Sequence, residues 1–219
     1  MALSCDAIIF DLDGVLIDSD AVIRRRWERW ADERGIPFEE VEAVYSGRPA
    51  IEVIEEVAPH LDPEAEIDRL GGEMAADVEG LEVFDGAKRL LGRLPAERWA
   101  IATSGRYRTA TARMAHVDLP APAVFVTADD VDQGKPHPEP YRRAADRLGL
   151  APERCVVLED APAGVEAADR AGASVLGVAT GHPPDALAAA TAVIPEVGAL
   201  EVTPEDEKLR VDWRRDADG

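Results

Sequence analysis

The sequence predicts an α/β fold, a parallel sheet with helices on both faces, interrupted after its first strand by an all-helical insertion. Two observations carry this. Short apolar runs recur along the chain without the strict alternation of a half-exposed strand, and amphipathic segments separate them, which is the pattern of a sheet covered on both faces. From residue 16 to about 82 that rhythm lapses and only helical patterning remains.

The first strand is expected at "AIIFD" (7–11). The helical block follows as "AVIRRRWERWADERG", "PAIEVIEEVAPHL" and "PEAEIDRLGGEMAADVEG". Residues 16–82 are therefore read as a cap, with hinges flanking Leu16 to Asp20 and Leu81 to Phe84, and residues 1–15 and 83–219 as the core. Further strands are expected at "RWAIAT" (98–103), "AVFVT" (123–127), "RCVVLED" (154–160) and "ASVLGVA" (173–179). The intervening helices are "GAKRLLGRL" (86–94), one starting at about 106, "PYRRAADRLGL" (140–150) and "GVEAADRAGA" (164–173). A short edge strand at 208–213 and a frayed polar end close the chain.

With 219 residues the chain can bury a large core and needs no covalent staples. Cys5 and Cys155 both lie beside apolar runs and read as small buried hydrophobes of a reducing compartment. The start "MALSCDAIIFDLD" lacks a basic region, and Asp6 and Asp11 interrupt its apolar run, so neither a signal peptide nor a membrane span is expected. The expectation is a soluble cytoplasmic protein, monomeric or weakly dimeric. A formal net charge of −20 opposes binding to a nucleic-acid backbone and repels anionic small molecules, so an anionic substrate needs local cations. Lysines are scarce, with only Lys88, Lys135 and Lys208, while arginines are common. Such an acidic surface fits a salt-rich cytoplasm, where screening relieves self-repulsion.

Four strand ends carry chemistry. Asp11 and Asp13 stand one residue apart at the end of the first strand, and Gly14 lets the chain turn away. Like charges this close need a cation, a shared proton or open water. An EF-hand loop does not fit, because Leu16 stands where its glycine belongs and Val22 where its glutamate belongs. "AIATSG" (100–105) ends a second strand with hydroxyls and a glycine ahead of a helix, a place suited to a phosphate oxygen or simply to a helix cap. "DQGKPHPEPY" (132–141) sets Lys135 in a turn. It is no P-loop, since Pro136 replaces the required Ser or Thr, and the scarcity of lysine singles this one out as a placed point charge. "VVLEDAPAGVEAA" (156–168) again brings a pair of acids, Glu159 and Asp160, to a strand end, oxygen donors of the kind that hold Mg²⁺. A parallel sheet gathers such ends into one crevice, and together they outline a phosphoryl-transfer site.

In that order, "FDLDGVL", "ATSG", "GKPHPEPY" and "LEDAPAG" resemble the successive motifs of the haloacid dehalogenase (HAD) superfamily, over nearly the whole chain. The resemblance implies a Rossmann-like core with a helical cap, and a phosphatase closest to the branch acting on sugar and polyol phosphates such as glycerol phosphate. It implies Asp11 as nucleophile forming an aspartyl-phosphate, and Asp13 as the acid and then base. Thr103, Ser104 and Gly105 would bind phosphoryl oxygens, and Lys135 would offset charge. Mg²⁺ would be held by Asp11, the Asp13 carbonyl and Asp160, with Glu159 a direct or water-mediated ligand. Arg48, in "SGRPAIEVI" (46–54), would touch the substrate beyond the phosphate. Two alternatives remain, a β-phosphoglucomutase-like mutase and a phosphoglycolate phosphatase. The mutases carry a histidine twelve residues after the nucleophile, where this chain has Ile23. Ala161 likewise stands where many relatives have serine.

Overall fold

The computed structural model describes residues 2–213. In chain order the elements are β1 (Ala2–Cys5), β2 (Ala7–Phe10), β3 (Ile17–Asp18), α1 (Asp20–Arg34), α2 (Phe38–Glu42), α3 (Ala50–Val57), α4 (Pro63–Ala76) and β4 (Glu82–Val83). There follow α5 (Ala87–Leu91), β5 (Trp99–Ala102), α6 (Tyr107–His116), β6 (Val124–Val126), α7 (Glu139–Arg147), β7 (Cys155–Glu159), α8 (Pro162–Ala171) and β8 (Ser174–Val178). The chain closes with β9 (Ala192–Ile194), β10 (Leu200–Glu205) and β11 (Lys208–Trp213).

Six strands form one sheet in the order β6-β5-β2-β7-β8-β9, with every neighbouring pair parallel. The five strands expected between residues 7 and 179 all lie here, and all but the edge strand β6 are largely buried because the sheet has two apolar faces. Ile8 and Phe10 point into one cluster with Ile101, Leu158 and Leu176, while Ala7 and Ile9 point into the other with Ala100, Val157 and Val175. Alanines dominate the second face, where Ala144, Ala145, Ala167 and Ala168 let α7 and α8 approach closely. α8 begins with Pro162, whose missing N–H costs nothing there, and ends at Gly172 in the left-handed conformation, φ 98°.

The helical block has a core of its own. Trp27, Trp30, Val41, Val53, Ile54, Ile67 and Leu70 form a cluster separate from both sheet faces. Trp27 meets Trp30 edge to face at 5.4 Å and stacks on Tyr45 at 6.2 Å. Asp62 caps α4 by accepting from the backbone N–H groups of Glu64 and Ala65.

Three features differ from the sequence expectation. The block is not purely helical, because its ends pair as β3 and β4, with Ile17 opposite Val83 in the segments read as hinges. The strand at 208–213 is not an edge: β11 is the middle of a three-stranded antiparallel sheet, β1-β11-β10. Its partners went unread, since β1 is only four residues long and β10 carries Pro204 among acids. β9, three residues long, was also missed. The polar end from residue 214 lies outside the described residues.

Candidate active site

Strand order places the site. After β2 the chain adds β5 and β6 on one side, then returns to add β7 and β8 on the other, so a crevice opens beyond the carboxyl end of β2. The residues following these strands are held by continuing the ladder. Asp11 N–H donates to the Leu158 carbonyl at 3.0 Å, and Thr103 N–H to the Val126 carbonyl at 3.0 Å. Asp11, Thr103 and Asp160 therefore all face the same opening, a cavity of about 430 Å³ between the sheet and the helical block.

Lys135 reaches this point from its turn and is 1% exposed, quite unlike an ordinary surface lysine. Its Nζ donates to Asp11 Oδ1 at 2.8 Å and to Glu159 Oε1 at 2.5 Å. The Tyr141 hydroxyl donates to the same Glu159 oxygen at 2.5 Å, and the Ala161 N–H to the other at 3.2 Å. Glu159 is thus wholly enclosed by protein donors. Gly164 makes room for it, since a Cβ there would lie 1.8 Å from Oε1. Asp160 is crowded by glycine in the same way: a Cβ at Gly14, whose φ is +80°, would fall 2.1 Å from its Oδ2.

Burial pushes the Asp11 carboxyl up to about 7, against the pull of Lys135 and with help from Glu159. Burial, then the neighbouring Glu159 and Asp11, hold Asp160 well above the usual carboxylate range. Burial would lower the Lys135 ammonium, but Asp11 and Glu159 outweigh it and raise it. Oxygens of Asp11, Glu159 and Asp160 lie within 4.8 Å of one another. Against these three carboxylates stands one ammonium, which leaves two formal negative charges in a buried place. A hard divalent cation such as Mg²⁺ fits both the oxygen donors and that charge deficit.

The other expected residues surround this centre. Asp13 lines the cavity, and its Oδ1 accepts from Ser19 Oγ at 2.7 Å and Arg113 Nη1 at 2.6 Å. Thr103 is buried and accepts the Gly105 N–H at 3.0 Å, which holds the turn ahead of α6. Ser104 Oγ donates to the Gly47 carbonyl at 2.9 Å, linking the core to the loop before α3. Arg48, on that loop, lines the cavity with its guanidinium held by Glu56 at 2.8 Å and Glu52 at 3.7 Å.

A family model described as a hydrolase, haloacid dehalogenase-like hydrolase, matches residues 5–172. The chain belongs to that family. Hexitol phosphatase A of Escherichia coli (strain K12) is 43% identical over 181 residues, covering 80% of this chain and 84% of the relative. Glycerol-1-phosphate phosphohydrolase 2 of Saccharomyces cerevisiae (strain ATCC 204508 / S288c) is 36% identical, covering 82% and 77%. Among solved structures, a hydrolase from Pseudomonas syringae superposes with a TM-score of 0.79 at 28% identity, covering 88% of this chain and 94% of the other.

Sequence reasoning missed several residues that this haloacid dehalogenase-like hydrolase places at the site. Tyr141 closes the "GKPHPEPY" string, where a tyrosine at a helix start reads as packing and signals no role at the site. The Thr180 hydroxyl donates to the Gly14 carbonyl, and Gly181 lies against Asp160, both from the loop after β8. Arg113 carried one legible signal, since it falls at helical spacing among the buried Thr109, Ala110 and Met114 of α6.

Proposed function

We propose that this protein is a Mg²⁺-dependent phosphatase that hydrolyses a small phosphorylated polyol or sugar through an aspartyl-phosphate on Asp11. The observation that carries the reading is the meeting of Asp11, Lys135, Glu159 and Asp160 around one point, brought from three separate stretches of chain.

A carboxylate oxygen of Asp11 attacks phosphorus, and the bond from phosphorus to the substrate oxygen breaks. Asp13 gives its proton to that leaving oxygen, so the alcohol departs neutral. Asp13, now ionised, takes a proton from a water that attacks phosphorus in the second step, which frees inorganic phosphate and restores Asp11. Lys135 offsets the charge of Asp11 and of the phosphoryl group. Thr103 and the backbone N–H groups of Ser104 and Gly105, at the strand end, receive phosphoryl oxygens, the Gly105 N–H exchanging its bond to Thr103 Oγ1 for one to the phosphoryl group. Mg²⁺ would be held by Asp11, Asp160 and the Asp13 carbonyl, with Glu159 beside it, and when bound it supplies charge neutralisation at the phosphoryl group and favours ionised Asp11.

Residues 16–82 act as a cap that covers the rest of the substrate and excludes bulk water. The cavity presents hydroxyl-binding groups there, among them Asp18, Tyr45, Glu52 and Arg48. Ile23 also lines it. An apolar side chain cannot relay a proton, which favours hydrolysis over a mutase. The free, buried Cys5 and Cys155 support a cytoplasmic setting.

The test is phosphate release from hexitol phosphates, glycerol 1-phosphate, hexose phosphates and phosphoglycolate, with Mg²⁺ and with EDTA. The polyol and sugar phosphates are expected to turn over fastest, and chelation to stop the reaction reversibly. Preference for phosphoglycolate, or unchanged activity in EDTA, would overturn the reading.

A further inference from the structure

Arg113 has no part in the steps above. It projects from α6, on the core side of the crevice, and is 3% exposed. A guanidinium is an expensive occupant of such a place, and an apolar side chain continuing the Ala110 and Met114 face would avoid its desolvation. The cost is visible in the structure, because Nε of Arg113 is buried with no hydrogen-bond partner. Among the described residues its one ion pair is with Asp13, Nη1 to Oδ1 at 2.6 Å, across 100 residues of sequence.

Ser19 adds a second donor to the same oxygen. Its Oγ lies 2.7 Å from Asp13 Oδ1, and the side chain is buried where the chain enters the helical block. Two donors, one from α6 and one from the residue preceding α1, thus converge on Oδ1, whereas no hydrogen bond from the described residues reaches Oδ2. A carboxyl that turned freely would offer either oxygen in many directions. One that is held at Oδ1 offers a single oxygen in a single direction.

We propose that Arg113 is the positioning residue for Asp13, which, with Ser19, clamps Oδ1 and presents Oδ2 to the oxygen of the leaving alcohol. The proposal rests on reading Asp13 as the proton carrier. It explains why a charge is kept where packing alone would favour an apolar side chain, since proton transfer tolerates little misplacement.

The experiment compares kcat/KM for glycerol 1-phosphate, whose alkoxide must be protonated as it leaves, with that for p-nitrophenyl phosphate, whose phenolate leaves unaided. Each is measured for the wild type, Arg113→Met, Arg113→Lys, Ser19→Ala and Asp13→Asn. The ratio of the two constants within one preparation does not depend on how much of the protein is folded, so a destabilised variant remains informative. For Arg113→Met the glycerol phosphate constant is expected to fall by about 10²-fold and the nitrophenyl constant by less than about threefold. Arg113→Lys should recover part of the lost ratio, and Ser19→Ala should lose a smaller part.

Equal losses on both substrates in Arg113→Met, beside a biased Asp13→Asn, would overturn the positioning role and leave Asp13 as the proton carrier. An Asp13→Asn variant with the wild-type ratio would remove the proton-carrier reading, and this proposal with it.

Discussion

Lys135 and Asp11 are each buried, and each depends on the other. Replacing Lys135 with methionine leaves Asp11 and Glu159 facing each other without a cation, which should destabilise the fold by about 3–5 kcal/mol in urea titrations and end turnover. Asp11→Asn should abolish phosphate release while the circular dichroism spectrum stays unchanged, and an active variant would take the nucleophile role from Asp11. The pH dependence follows from the sign of the Asp11 shift. Its carboxyl is raised from 3.8 to about 7 on folding, so the folded state holds this proton more tightly, and the stability it contributes is lost as pH rises through that value. A divalent cation binds the ionised cluster, so added Mg²⁺ should raise Tm more at about pH 8 than at about pH 6. An equal rise at both would contradict the assignment of the ion to this cluster. At this scale, Asp11, Thr103 and Asp160 were legible because each follows an apolar run and so must end a strand. The roles of Arg113 and Ser19 were not: spacing in α6 signals only the burial of Arg113, while what defines both is a shared contact with Asp13, and the contact of Arg113 crosses 100 residues that no local pattern reports.

Between elements, Arg106 bridges α4 and the core. Its guanidinium meets Glu64 at 3.3 Å and Asp68 at 3.1 Å on α4, and Asp129 at 3.6 Å on the core side. The pairs are partly exposed, so each contributes little to stability, on the order of 0.2–1 kcal/mol. Reversal to Arg106→Glu should therefore change Tm only slightly, yet set like charges against α4 and raise KM several-fold, to about threefold or more at low salt, with screening restoring part of it. An unchanged KM would show that this contact does not hold the helical block over the cavity. The helices other than the five-residue α2, and the strands of the six-stranded sheet other than β9, were readable from apolar spacing because burial imposes it. The short pairs were not: β3 and β4 contribute two residues each, too few for any period, and β11 lies between two strands whose composition hides them. The sequence predicted a strand at 208–213 but could not supply its neighbours.

For the whole molecule, charge and topology act at different ranges. A net charge of −20 repels itself throughout the surface, so Tm should rise between low salt and molar KCl; a flat or falling Tm would remove the salt-adaptation reading. Inside the crevice the balance is local, and there one ammonium and one divalent cation would suffice for the clustered acids. That the motifs meet was legible only through the rule that parallel strands gather their carboxyl ends, since the motifs themselves lie far apart in sequence. Arg48 lines the cavity, but its engagement by Glu52 and Glu56, with which a substrate would compete, is visible only once the helices are packed.

The proposed mechanism transfers phosphorus to Asp11. During steady turnover of glycerol 1-phosphate, acid quenching followed by borohydride reduction converts a phosphorylated aspartate to homoserine, which peptide mass spectrometry locates. Homoserine is expected at position 11, dependent on substrate and absent in EDTA. Homoserine at another aspartate, or none while phosphate accumulates, would contradict it.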